Sequence, residues 1–322
     1  MTVRAAWWGL GWGLSCVLGT ANAATAEAVT ADPANADAIT ADAMTADPAT
    51  ADARVARATV QFVPERMDDL MWENDRIAFR VYGPALQKAE PPSGSGIDVW
   101  VKRVRHPFMH NQLHGGQYHV DSGEGLDFYN VGGSRGAGGL GIWDDNKLWV
   151  SRNFNAYRIL HDGPECAVFE LDYAPWPVGV ARNVRERRRV SLAMGSQLNR
   201  IESTLYSNRP DELIVGIGLN RHATVAGQGV LTQDRAAGLL AYWEPTDALH
   251  GTIGTAVLVD PQRVVGFQDD ADNHLVLVRV RPGEPLVYFQ GAVWDRGLDL
   301  HDRQQWEAYL RAYPRQGCDA DR

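Results

Sequence analysis

Cysteine is scarce. Three residues in 322, Cys16, Cys166 and Cys318, are too few for a disulfide scaffold, and no C-x-x-C or finger spacing points to a structural thiolate metal site. Positive charge is scarce too. Lys and Arg number 31 against 40 Asp and Glu, a net charge of -9, and without a basic patch a nucleic-acid partner is not expected. Only one long apolar run occurs, Ala5 to Gly19, and it is too short for a comfortable membrane span.

That run belongs to the expected leader. Arg4 supplies a positive start and Ala21-Asn22-Ala23 an A-x-A cleavage site, so residues 1–23 read as a signal peptide that sends the chain to the periplasm or outside the cell. Gly13 stands where a lipobox would carry Leu, so Cys16 is not expected to be acylated. Residues 24–55 then repeat an Ala-rich unit of five, TADPA in its clearest form, with one acid per unit and no aromatic residue. Such a segment buries too little surface to offset its ordering entropy and reads as a disordered linker. From residue 55 onward 29 basic residues face 34 acidic ones, a milder -5.

Residues 56–322 are expected to form one domain. Apolar and polar residues alternate with period two in many short stretches bounded by Gly, Pro, Asn or Asp, among them Ile97 to Val104, Val184 to Leu192, Leu213 to Leu219 and Pro285 to Ala292. Strands at such spacing without intervening helices predict an all-β fold, a large antiparallel sandwich or barrel. One helix is expected, a short C-terminal one that Asp299 could cap, with Asp302 in its first turn and Trp306, Tyr309, Leu310 and Tyr313 on its apolar face. Cys166 and Cys318 could pair in an oxidising compartment; the sequence leaves that open.

The stretch YHVDSGEGLDFYNVGGSRGAGGLGIW, Tyr118 to Trp143, carries His119, Asp121, Glu124, Asp127, Arg135 and two tyrosines among eight glycines. A core does not accept that many ionisable groups unpaired, and glycine at this density suits sharp turns or close approach to a ligand. It therefore reads as the floor or rim of a polar ligand site rather than ordinary core strand, a mobile surface loop being the alternative. His106, His110 and His114 recur at intervals of four, although Pro107 and Gly115-Gly116 disfavour a long helix. They line a substrate loop or, as the alternative, hold a transition metal. Arg185, Arg187, Arg188 and Arg189 read as a solvated strand face offset by Glu186, or as contacts for an anionic glycan.

Three stretches, DDLMWENDRIAFRVYGP from Asp68, the glycine-rich block, and VYFQGAVWDRG ahead of the terminal helix, resemble a bacterial domain-of-unknown-function family found in polysaccharide-utilisation gene clusters beside pectin-, ulvan- and other uronate-degrading enzymes. The likeness spans residues 60 to 313, with Ala137 standing where the family pattern suggests Cys. It implies a galactose-mutarotase-like β-supersandwich and a secreted carbohydrate-active protein, in one line an oligosaccharide dehydratase that makes a 4,5-unsaturated uronate. Such an elimination needs a base for the C5 proton, a cation or donor at the carboxylate, and an acid for the C4 hydroxyl. His119 is the candidate base or acid, shared with Tyr118 or Tyr129, while Glu124 and Asp127 complete the catalytic set. Arg135, with Arg152 in reserve, is the candidate grip on the carboxylate. Trp143 is the stacking platform, and His110, His114 and Asp121 are further substrate contacts. The expected partner is an acidic oligosaccharide, with no cofactor; a divalent metal on Asp121, Glu124 and Asp127 is the alternative. Competing functions are a sugar mutarotase or isomerase, and a periplasmic glycan-binding module.

Overall fold

A computed structural model describes residues 54–89, 94–222 and 227–318; the expected leader and nearly all of the repeat segment lie outside the described residues. Three sheets carry the fold, and every ladder between named strands is antiparallel. The first sheet holds β1 (Thr59–Val63), β2 (Asp69–Glu73), β3 (Ala78–Val81), β4 (Ile97–Lys102) and β5 (Gly125–Leu126), in that order. An eight-stranded sheet runs β13 (Val230–Asp234), β14 (Leu239–Trp243), β15 (Ile253–Val259), β18 (Pro285–Trp294), β11 (Leu198–Ser207), β10 (Arg182–Ala193), β9 (Cys166–Val178) and β8 (Ala156–Asp162). A third runs β16 (Val264–Asp269), β17 (Asn273–Val280), β12 (Leu213–Asn220), β6 (Ala137–Asp144) and β7 (Lys147–Trp149). The expected all-β antiparallel class is the one observed.

Strand alternation explains where side chains go. On β10, Val184, Glu186, Arg188 and Val190 point inward while Arg185 and Arg187 point out. The arginine run is therefore not one solvated face. Arg188 is fully buried, bonded through Nε and Nη2 to Glu186 at 2.8 and 3.0 Å and to the Tyr173 hydroxyl at 3.1 Å.

The glycine-rich block divides in a way its composition concealed. Its second half is β6, with Ala137 to Ile142 buried, so this part is core strand after all. Gly141 lies opposite Gly216 of β12, and a Cβ on either would come within 2.9 Å of the Leu148 side chain. Those glycines make room for apolar neighbours, not for a ligand.

The main core joins the sheets through residues such as Trp72, Phe169, Ile217, Leu140, Val257 and Tyr288. A second cluster lies under the terminal helix, labelled α3 after two short helices, α1 (Pro84–Ala89) and α2 (Met109–His114); α3 spans Arg303–Ala312 and buries Trp306 and Leu310. Its cap is Asp302, which accepts from the Gln305 amide at 2.8 Å. Asp299 instead receives Arg105 and Arg76. Cys166 and Cys318 form a disulfide across 152 residues, fastening the tail to the start of β9. No helix among the described residues is long and apolar enough to cross a membrane.

Candidate active site

The first half of the block folds over the β3–β4 pair. Register places Arg80 directly opposite Asp98, and their side chains meet at 2.9 Å through Arg80 Nε. β5 then brings Asp127 to the same arginine, 3.0 Å from Nη2. Gly125 is needed for that return. Its φ is 143°, and a Cβ there would lie 2.1 Å from the Val101 carbonyl oxygen. Asp69 completes the group, accepting from the Gly83 amide at 2.9 Å and lying 3.9 Å from Arg80. All four side chains are buried.

Two arginines serve three buried carboxylates, Arg80 in their midst and Arg66 at their edge, 3.9 Å from Asp69. Burial pushes the Asp69 carboxyl from 3.8 to about 6, although Arg80 pulls it back. Burial and then Asp98 hold Asp127 well above the usual carboxylate range against Arg80. For Arg80 burial disfavours the charge, but Asp98 and Asp127 outweigh it, so the guanidinium stays charged. The Tyr82 hydroxyl donates to Asp98 at 3.1 Å, and burial and that carboxylate raise the phenol well above its ordinary value.

Aromatic rings roof this cluster. Tyr118 stacks on Trp100, with centroids 5.0 Å apart and planes at 13°, and the Arg80 guanidinium lies 5.3 Å from the Trp100 ring centroid. The Tyr118 hydroxyl accepts from Arg66 Nε at 3.2 Å. His119 sits beside it, centroid to centroid 4.3 Å, with its side chain 66% exposed. Its Nδ1 lies 2.8 Å from the Asp127 carbonyl oxygen, which can only accept. Nδ1 therefore carries the hydrogen, and Nε2 of the neutral ring offers a lone pair.

Thus Tyr118, His119 and Asp127 come together as expected, but other candidates go elsewhere. Tyr129 is buried and edge-on to His222 at 4.9 Å; burial, then Glu244, raise its phenol well above the ordinary value. Arg135 is also buried, donating to Ser95 Oγ at 3.1 Å and the Gly133 carbonyl at 3.3 Å, with burial and Arg188 bringing it down to about 10. As folded it does not reach a substrate in solvent. Arg152 is exposed beyond β7, and Trp143 lies near the far end of β6.

The remaining acids each have their own partner. Asp121 pairs with Arg103, and Glu124 with His106 Nε2 at 3.2 Å. With Asp127 on Arg80, the three carboxylates envisaged for a metal do not converge. Among the described residues no three His, Cys, Asp or Glu side chains form a metal-binding group. The histidine series splits as well, because the helix begins only at Met109. His110 and His114 meet on α2 with ring centroids 4.1 Å apart and planes tilted by 44°, held to Gln61 at 3.0 Å and Glu65 at 3.5 Å, and His106 lies outside it. His110 borders a cleft of about 400 Å³ with Gln61 and Asn111 on its rim and Val63, Met71 and Met109 in its wall.

Several residues escaped the sequence reading: Arg66, Asp69, Arg80, Tyr82, Asp98 and the pair His222–Glu244. A signal for one was present, since an arginine in the otherwise apolar Ala-Phe-Arg-Val of β3 implies a buried partner. His222 Nδ1 meets Glu244 at 3.0 Å and its Nε2 meets the Asn130 carbonyl oxygen at 2.8 Å. Burial opposes the imidazolium, but Glu244 outweighs it and the pKa is raised; burial also raises Glu244.

The profile of the family described as a domain of unknown function (DUF4861) matches residues 20–316, and the chain belongs to that family. Uncharacterized protein P7 of Formosa agariphila is 34% identical over 271 residues, 79% of this chain and 66% of that protein, so the chain spans about two thirds of its relative's length. Among solved structures, the GH36 alpha-galactosidase AgaB of Geobacillus stearothermophilus is similar at a TM-score of 0.36 and 11% identity, over 73% of this chain and 40% of that one. The 4-alpha-glucanotransferase of Thermococcus litoralis is similar at 0.37 and 9%, over 74% and 41%. These likenesses are too remote to carry an activity.

Proposed function

We propose that the chain is an exported enzyme that removes water across C4 and C5 of a terminal uronic acid in a pectin- or ulvan-like oligosaccharide. The observation that carries this reading is the Tyr118–His119 ring pair with Arg66 on the phenol oxygen, set on a buried acidic cluster. His119 Nε2 takes the C5 proton. Arg66, its side chain 22% exposed, faces the substrate carboxylate in place of the buried Arg135. Tyr118 passes its proton to the departing C4 oxygen, which leaves as water, and the C5–H electron pair becomes the C4–C5 double bond. The sugar class itself rests on the resemblance to uronate-degradation clusters.

The test follows the ultraviolet absorbance of the conjugated product while the protein is incubated with galacturonyl- and glucuronyl-ended oligosaccharides. Absorbance should rise, and His119→Ala should slow it about 10²- to 10⁴-fold, with Tyr118→Phe and Arg66→Met also impaired. No rise on any acidic oligosaccharide would sink the proposal. A second reading, sugar mutarotase or isomerase, has His222 and Glu244 in its favour as an imidazole and carboxylate at 3.0 Å. Anomer exchange that is lost in His222→Gln and untouched by His119→Ala would select it.

A further inference from the structure

Trp143 lies too far along β6 to serve His119. β6 begins at Ala137, next to Gly136, which bridges to Ile97 of the first sheet. From Ala137 to Trp143 is six strand steps, or ~20 Å at about 3.3 Å per residue. β12 runs the same course in reverse. Asn220 donates to the Asn130 carbonyl at 2.6 Å near the candidate site, whereas Val215 faces Ile142 toward the other end.

At that other end Trp143, partly exposed, walls a cleft of about 350 Å³ with Arg182 and Arg209 among its lining. Glu212 is common to this cleft and to a neighbour of about 460 Å³ that Arg235, Arg263, Arg279 and Arg281 help to line. Together the two clefts present six arginines against Asp144, Glu212 and Glu284. That is a local excess of three positive charges in a chain of net charge -9. Not all of it is available, since Arg182 pairs with Asp211 at 3.0 Å. Arg279 and Arg281, however, share the single Glu212 carboxylate at 3.4 and 3.5 Å, and their side chains are 59% and 69% exposed. One carboxylate cannot neutralise two guanidiniums.

A partly exposed indole beside exposed guanidinium forks matches a polymer with flat apolar sugar faces and regularly spaced carboxylates or sulfates. We infer that this end of the sandwich is a second, non-catalytic binding site for an anionic polysaccharide chain, with Trp143 against a sugar face and the arginines around Glu212 against its acid groups. The site goes beyond the proposed elimination. It holds polymer wherever the chemistry occurs, and the long, exposed pairs of Arg279 and Arg281 with Glu212 exchange readily for a ligand.

Affinity electrophoresis of the full chain through gels containing polygalacturonate, or neutral galactan as control, tests the inference. Polygalacturonate should retard the protein, galactan should not, and added salt should weaken the retardation. Arg279→Ala combined with Arg281→Ala should weaken it about tenfold, and Trp143→Ala should act in the same direction. Both arginines are exposed, so the double variant remains informative if Trp143→Ala fails to fold. Equal mobility with and without polygalacturonate would overturn the site. So would retardation that survives the double variant and vanishes in His119→Ala. Retention is read without turnover, so its failure leaves the elimination assay standing.

Discussion

Asp69 offers a quantitative check on the buried acidic cluster. Burial raises its carboxyl from 3.8 to about 6, so between those values the folded chain holds a proton that the unfolded chain has released. The favourable contribution is complete below pH 3.8 and is lost as pH rises through 6. A displacement of about two pH units corresponds to about 3 kcal/mol at neutral pH. Asp69→Asn keeps an acceptor for the Gly83 amide and removes the charge. The variant should therefore be more stable than the parent by up to about 3 kcal/mol at pH 7.5, and nearly equal to it at pH 4. Urea unfolding followed by tryptophan fluorescence at the two pH values measures both differences. A variant less stable at pH 7.5, or a difference that does not change with pH, would refute this account of Asp69.

Arg80→Met should cost about 3–5 kcal/mol, because Asp98 and Asp127 are left buried without their cation; the same unfolding assay reads it. Cys318→Ser should cost about 2–4 kcal/mol through the long loop it opens, and a reducing agent should lower the parent's melting temperature toward that of the variant. Gly141→Ala should destabilise by about 1–3 kcal/mol, since its methyl meets Leu148, and Leu148→Ala in the same chain should recover part of the loss.

The legibility of this chain follows the range of the interactions involved. Alternation is local, so β4, β10, β12 and β18 are legible in the sequence to within two residues. β2 could not, because Asp69 to Glu73 is buried on both sides and carries an acid at each end. β6 was obscured by glycines that resemble a ligand loop and instead accommodate Leu148 and Gln290. The candidate site is legible where chain neighbours build it, as with Tyr118, His119 and Asp127, which the structure brings together. Arg80 and Asp98 were missed because register across a sheet is non-local. Tyr129, Arg135 and Trp143 are residue types that suit a sugar site, but the turns at Gly132 and Gly136 and the alternation along β6 send the first two into the interior and the third to the opposite end.

The proposed elimination at the Tyr118–His119–Arg66 cluster takes one water from the sugar, a loss that mass spectrometry of the product reads. Galacturonyl-ended oligosaccharide incubated with the protein should return a species lighter by one water with every glycosidic bond intact, and His119→Ala should return unchanged substrate over the same interval. Shortened sugars, or an unchanged mass with altered anomer ratio, would contradict the account.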